Sequence, residues 1–142
     1  MTEFGPIADR EQRVKLEQES AEGAGVRNVV TGYGDDYVEI NKTRFTHSVL
    51  LMPDGPVLPW EPARFEAFDA AHFAPLAAAA PELVLLGTGR ALRFGHPRLY
   101  AALTAKRIGV ETMDLTAACR TFNILAGEGR RVAAALLIET RD

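Results

Sequence analysis

Four large apolar residues in succession, Leu83–Leu86, run directly into the glycine turn Gly87-Thr88-Gly89. A strand that is apolar at every position is typical of a parallel sheet covered on both faces. Parallel neighbours require crossover connections, which are usually helices. This segment therefore predicts an α/β protein in which strands and helices alternate.

The residues after this strand continue the alternation. Pro97 suits the first turn of a helix, and Asp114 is a suitable N-cap for the next one. In the first of these helices, Leu99 and Leu103, together with Ala102, are expected to face inward. The predicted order is a helix over Pro97–Arg107, a strand over Val110–Met113, a helix over Leu115–Ala126 and a strand over Val132–Ile138.

Before this strand, short β-branched runs separated by turn signals predict a β meander. Asn41-Lys42 is predicted to be a tight turn, because Asn tolerates a positive φ, and Pro53-Asp54-Gly55-Pro56 to be another. The meander either adds strands to the central, partly parallel sheet or packs on it. The predicted strands cover Val26–Val30, Tyr37–Ile40, Thr43–Phe45 and Ser48–Met52, and short helices are predicted over Arg64–Phe68 and Pro75–Ala80.

Charge divides the chain into two parts. The formal charge of −3 arises from 16 basic and 19 acidic residues, and the whole excess lies in residues 1–26. Those residues contain few large apolar side chains, so they predict a flexible acidic N-terminal arm. Residues 27–142, the predicted domain, hold 13 acidic and 13 basic residues. The domain thus lacks the basic surplus that nucleic-acid-binding proteins usually show.

Several classes of protein and site have no support in the sequence. The lone Cys119 excludes an internal disulfide. The longest apolar run, Val132–Ile138, has seven residues, whereas a membrane-spanning helix needs about 20. The His, Cys and carboxylate residues show no metal-ligand spacing, and neither Ser20 nor Ser48 lies in a Gly-x-Ser-x-Gly turn. We therefore expect no metal, no cofactor, no catalytic set and no membrane span. Whether the chain is an enzyme stays open, although these observations favour a protein that is not one.

The glycine turn is the first candidate for a binding site. Glycines at the carboxyl end of a buried parallel strand let a ligand approach backbone N–H groups closely. The dinucleotide fingerprint is absent, because Leu92 occupies its third glycine position, and no Lys-Ser/Thr pair follows. The alternative is a tight exit from the strand that needs glycine for its backbone angles.

The helix predicted over Leu115–Ala126 carries candidates on two faces. One face is polar and carries Thr116, Arg120 and Asn123. This face binds a carboxylate or the backbone of a partner, or alternatively it is only solvated. Cys119 belongs to the apolar face, where it is either a small buried hydrophobe or a thiolate favoured by the helix N-terminus.

Trp60 is the remaining candidate, because prolines at positions 59 and 62 restrict the chain around it. An aromatic side chain held in this way either forms the wall of a pocket, anchors a partner, or fills the edge of the core.

Five stretches, taken in order, resemble the Mth-type domain family of unknown function. The resemblance covers about residues 27–138 and implies a single three-layer α/β domain with a mixed central sheet, a β-rich first half and a βαβαβ-like second half. It also implies a pocket near the glycine turn, with Cys119, Arg120 and Asn123 among the motif residues. The stretches are Val38–Asn41, Leu83–Gly89, Gly109–Asp114, Ala117–Leu125 and Glu128–Leu137.

The family's relatives include a mitochondrial assembly factor of respiratory complex I and an animal adipogenesis-associated protein. The resemblance therefore implies a small interaction or assembly factor, with respiratory-complex subunits or another assembly factor as partner and an apolar patch around Trp60. The alternative is a small-molecule-binding protein or enzyme that binds an anion at the Gly87–Gly89 amides and Arg120, with Asn123 and Thr88 orienting the ligand. A third alternative is that these motifs are purely structural.

The acidic arm resembles neither a secretory signal nor a transit peptide, so a bacterial, cytoplasmic member is expected.

Overall fold

The computed structural model describes residues 27–140 and confirms the α/β class over them. The acidic arm predicted for residues 1–26 lies outside the described residues. The strands are β1 (Val30–Tyr33), β2 (Val38–Ile40), β3 (Thr43–Phe45), β4 (Val49–Leu51), β5 (Leu58–Pro59), β6 (Leu83–Gly87), β7 (Gly109–Met113) and β8 (Val132–Leu136). The α-helices are α1 (Ala74–Ala79), α2 (Ala101–Ala105) and α3 (Leu115–Gly127), and 3-10 helices lie at Phe65–Ala67, Ala70–Phe73 and Pro97–Tyr100.

A mixed five-stranded sheet in the order β5-β4-β8-β6-β7 forms the centre of the fold. β6 lies between β8 and β7 and is parallel to both, whereas β4 is antiparallel to β8 and to β5. β6 is thus the buried parallel strand that its unbroken apolar sequence predicts, because it has a neighbour on each side and a layer on each face.

The chain leaves β6 toward β7 on one side and then returns to β8 on the other side. Right-handed crossovers in opposite directions place their helices on opposite faces of the sheet. The core divides accordingly: Leu85 packs with Phe122 of α3, and Leu86 packs with Leu103 of α2. The three-layer, βαβαβ-like second half is therefore confirmed.

The meander both packs on the central sheet and adds strands to it, the two alternatives that the sequence left open. β1, β2 and β3 form a separate antiparallel sheet, whose Val38 and Ile40 share a core with α3, whereas β4 and β5 join the central sheet. The predicted tight turn is present, since Asn41 and Lys42 have φ values of 51° and 72°. Positive φ at both central residues matches the twist of a two-residue hairpin.

Two predicted elements differ from the structure. The first strand covers Val30–Tyr33 rather than Val26–Val30, because Asn28 is drawn to the 53–55 turn, where its Nδ2 donates to Met52 O (2.7 Å) and Gly55 O (2.9 Å). The helix predicted over Pro97–Arg107 is a 3-10 helix followed by the short α2, which leaves Ala102 exposed rather than inward-facing.

Candidate functional site

The three parallel strands β6, β7 and β8 end at the same edge of the sheet, which is where open α/β sheets bind ligands. A crevice of about 220 Å³ lies at this carboxyl edge. It is enclosed by the loop after β6, the first turns of α3 and the loop between β1 and β2. Its lining residues are Gly34, Asp35, Gly89, Arg90, Asp114, Leu115, Thr116, Ala117 and Arg120.

Of the glycine turn, Gly89 alone lines this crevice. Gly89 has a φ of +88°, and its carbonyl accepts a hydrogen bond from Leu115 N (2.8 Å), so the turn holds the start of α3. Gly87 serves close packing instead, because a Cβ there would stand 3.0 Å from the Ala118 Cβ. Thr88 is fully buried, and its hydroxyl donates to Ala91 O (2.6 Å).

The two arginines of the crevice stand on different walls. Arg120 projects from α3, and its Nε donates to the Tyr33 hydroxyl (2.8 Å). Arg90 follows the glycine turn, and its Nε lies 3.8 Å from Asp35 Oδ2. Asp114 is engaged as the predicted N-cap, since its Oδ1 accepts from Ala117 N (2.8 Å). The crevice therefore combines fixed guanidinium groups with carboxylates.

Asn123 and Cys119 point away from the crevice. The Asn123 amide pairs with the backbone of Val30 in both directions, accepting from its N–H and donating to its C=O at 2.9 Å each. It thereby fastens β1 to α3. Cys119 is completely buried in the core beneath α3, and this burial raises the pKa of its thiol to about 12. A thiol in that environment stays protonated at neutral pH.

Trp60 lies on the opposite face of the central sheet, in the core cluster of Phe73 and Leu103. Its side chain is buried, its Nε1 donates to His72 O (2.9 Å), and its ring contacts that of Phe73 with centroids 5.6 Å apart. It borders a second hollow of about 360 Å³ beside β5. The structure therefore does not bring Trp60 to the glycine turn. The Trp60 side chain is also not itself an exposed apolar patch.

The sequence reasoning missed an ion pair that fixes the loop after β6. The Arg93 guanidinium contacts Glu139 Oε1 and also donates to the carbonyl of Thr88. Burial desolvates Glu139, but its hydrogen bonds from Arg93 and from Phe65 N (2.8 Å) prevail and lower its pKa. Glu139 directly follows the apolar run of the last strand, which places it at the carboxyl edge of the sheet. That position is the sequence signal that could have indicated its role in fixing the loop.

The same loop carries apolar side chains that were also missed as a group. Leu92 is 50% exposed and Phe94 is 74% exposed. Between them, Arg93 N donates to the Thr88 hydroxyl (3.0 Å), so the loop is anchored while both apolar side chains face outward. We call residues 90–96 the apolar loop.

A metal cluster and a membrane-spanning helix are both absent from the described range. Residues 27–140 contain no group of three or more His, Cys, Asp or Glu side chains arranged to hold a metal ion. Within that range, no helix has the length and apolar character needed to cross a membrane.

Comparison with known proteins identifies a family and several structural relatives. The model of a family described as "Protein of unknown function (DUF498/DUF598)" matches residues 30–137. A crystal structure of a Bordetella parapertussis protein is 45% identical, with a TM-score of 0.78, covering 82% of this chain and 99% of that one. The solution structure of a Bordetella pertussis protein described as an Mth938-like domain is 37% identical, with a TM-score of 0.72, covering 81% of this chain and 88% of that one.

A curated relative is the bovine protein named NADH dehydrogenase [ubiquinone] 1 alpha subcomplex assembly factor 3. The two sequences are 29% identical over 110 residues, which is 76% of this chain and 59% of that protein. The chain thus spans about three-fifths of the bovine relative, and a shorter match spans 30% of its mouse counterpart.

Proposed function

This chain belongs to the DUF498/DUF598 family of proteins of unknown function, and from that premise we propose that it is a small assembly factor that binds a protein partner. The partner is a subunit of a respiratory NADH dehydrogenase, or another factor acting on the same enzyme. The chain acts from the cytoplasmic side of the membrane that holds this enzyme.

One observation carries this proposal. The similarity to complex I assembly factor 3 extends over 76% of the chain, and it recurs in the zebrafish protein at 29% identity over 94% of the chain. A fold by itself does not specify a function. Here, however, the similarity lies in the sequence and not in the fold alone.

The surface at the carboxyl edge is compatible with a protein-binding role. Phe94 exposes three quarters of its area on a loop that hydrogen bonds hold in place. Large apolar side chains that are exposed on a fixed backbone lose little entropy on binding, and they commonly act as interface anchors. The small-anion alternative at Gly87-Thr88-Gly89 and Arg120 stays a prediction.

Deletion of the gene in the organism that encodes it tests the proposal. Membranes are solubilised in mild detergent and separated on native gels, and assembled NADH dehydrogenase is measured by in-gel activity. We expect the assembled enzyme to decrease and partial assemblies to accumulate, with recovery when the chain is supplied from a plasmid. ATP synthase from the same membranes serves as the control. An unchanged amount of assembled NADH dehydrogenase would contradict the proposal.

A further inference from the structure

The apolar loop begins at the crevice, because its first residue, Arg90, is one of the lining residues at the carboxyl edge of the sheet. Gly89 and Arg90 line the crevice, and Leu92 and Phe94 follow within four residues on the same anchored loop. The backbone therefore places an apolar projection directly beside a polar depression. We propose that this combined surface binds an acidic, partly apolar peptide segment of a partner protein, an inference that rests on the proposed function and specifies the partner's chemistry.

The anchoring of the loop supports a docking role. The buried Thr88 hydroxyl bonds to both Ala91 O and Arg93 N, and the Arg93 guanidinium bonds to Thr88 O and to Glu139. These bonds fix the backbone on both sides of Leu92. A peptide that contacts Leu92 and Phe94 consequently does not have to order the loop, which reduces the entropic cost of association.

The charges of this surface determine which peptide fits. From Leu83 to Val110 the sequence contains five basic residues and no acidic one. Among these, Arg93 is neutralised by Glu139, and Arg90 stands near Asp35. No ion pair between described residues includes Arg98, which follows the loop, or Arg120 in the crevice. Arg120 shares the crevice with the carboxylates of Asp35 and Asp114, and Asp114 is engaged as the N-cap of α3. The guanidinium groups of Arg98 and Arg120 are therefore the ones outside these ion pairs that a partner's carboxylate can bind.

The shape of the surface favours a peptide over a lipid bilayer. A bilayer surface is flat on the scale of a side chain, and it would contact Phe94 while leaving the crevice empty. A peptide segment, in contrast, places an apolar side chain against Leu92 and Phe94 and extends a carboxylate to Arg120. The Tyr33 hydroxyl already orients that guanidinium through a 2.8 Å hydrogen bond.

A peptide-display selection tests the inference directly. The full chain is immobilised and challenged with a random library of 12-residue peptides, and a selected peptide is then titrated by fluorescence polarisation. We expect enrichment of sequences that combine Asp or Glu with a large apolar residue. The double variant Leu92→Ser/Phe94→Ser should weaken binding by about 10-fold or more, because anchor residues contribute most of the affinity. Arg120→Ala should weaken it as well.

Matched variants separate this surface from a general loss of apolar area or charge. Ile124→Ser removes an apolar side chain that is 60% exposed on the outer face of α3. Arg130→Ala removes an arginine that pairs with Glu82 at the other end of the molecule. Both should leave binding unchanged, and thermal melts establish that every variant is folded.

The inference is overturned by selected peptides without acidic and apolar bias, or by equal binding of a selected peptide to the double variant. It is also overturned if Phe94 instead mediates a dimer or a complex with phosphatidylserine vesicles in place of peptide binding.

Complementation distinguishes this inference from the proposed function. If Leu92→Ser/Phe94→Ser fails to restore assembled NADH dehydrogenase in the deletion strain while Ile124→Ser restores it, both are supported. If the double variant restores the enzyme fully, the docking surface is overturned and the assembly role stands. If deletion never lowers the enzyme, the assembly role fails, and the docking surface is judged by the peptide selection.

Discussion

At the scale of single residues, the structure assigns specific contacts to side chains that the sequence only marked as candidates. Polar residues at helical spacing on α3 predicted one functional face, yet its members do different things. Arg120 reaches the crevice, whereas the Asn123 amide is fully engaged with Val30 on a different segment of the chain. Spacing alone cannot separate these two roles, because the partner of Asn123 lies 93 positions away in the sequence.

The contacts of Asn123 lead to a stability prediction. Asn123→Ala leaves the N–H and the C=O of Val30 without their partner at a partly buried position. Each unsatisfied backbone group costs about 1–3 kcal/mol. Because water can reach this partly buried position, we expect the free energy of unfolding to fall by about 2–3 kcal/mol, the lower end of the sum for two groups. Urea denaturation followed by circular dichroism measures this change. Ile124→Ala, at an exposed position on the same helix, is the control, and equal effects of the two substitutions would contradict the assigned role.

At the scale of elements, apolar periodicity predicted most strands and helices, and the first strand is wrong where a side chain bonds to the backbone of a distant turn. The unbroken apolar run of β6 located the central strand, and the N-cap Asp114 located the start of α3. The first strand is displaced because Asn28 binds the carbonyl groups of a distant turn. The pairing of β4 with β8 joins residues more than 80 positions apart, which no local pattern encodes.

The contact between β6 and α3 gives the prediction for this scale. An Ala at position 87 would place its Cβ 3.0 Å from Ala118 Cβ and 3.3 Å from Leu136 Cδ2, so the helix must move outward. We expect Gly87→Ala to lower the free energy of unfolding by about 1–3 kcal/mol through overpacking. Gly127→Ala is the matched control, since nothing lies within 4 Å of a Cβ there. If both variants unfold at the same urea concentration, Gly87 is not a packing glycine.

At the scale of the whole molecule, the carboxyl edge is held together by residues from distant parts of the chain. Glu139, which follows β8, accepts a hydrogen bond from the backbone of Phe65 and pairs with Arg93 after β6. The central sheet thus presents the apolar loop in a fixed orientation. The sequence predicted where the parallel strands end, but not which side chains meet there, because that depends on the order β8-β6-β7.

This ion pair makes the stability of the molecule depend on pH. Because the pKa of Glu139 is lower in the folded chain than its ordinary value of 4.5, its carboxylate stabilises the fold above that value. The contribution declines as the pH falls through the folded pKa, where the group becomes protonated in both states. We therefore compare the unfolding free energy of the natural chain with that of Glu139→Gln. The difference should be largest at pH 6–7, about 1–2 kcal/mol, because the ion pair is mostly buried and includes a hydrogen bond. It should diminish below pH 4. Urea titrations at several pH values measure it, with Glu111→Gln on the exposed side of β7 as the control. A difference that is constant between pH 7 and pH 3 would show that Glu139 contributes through packing and not through its charge.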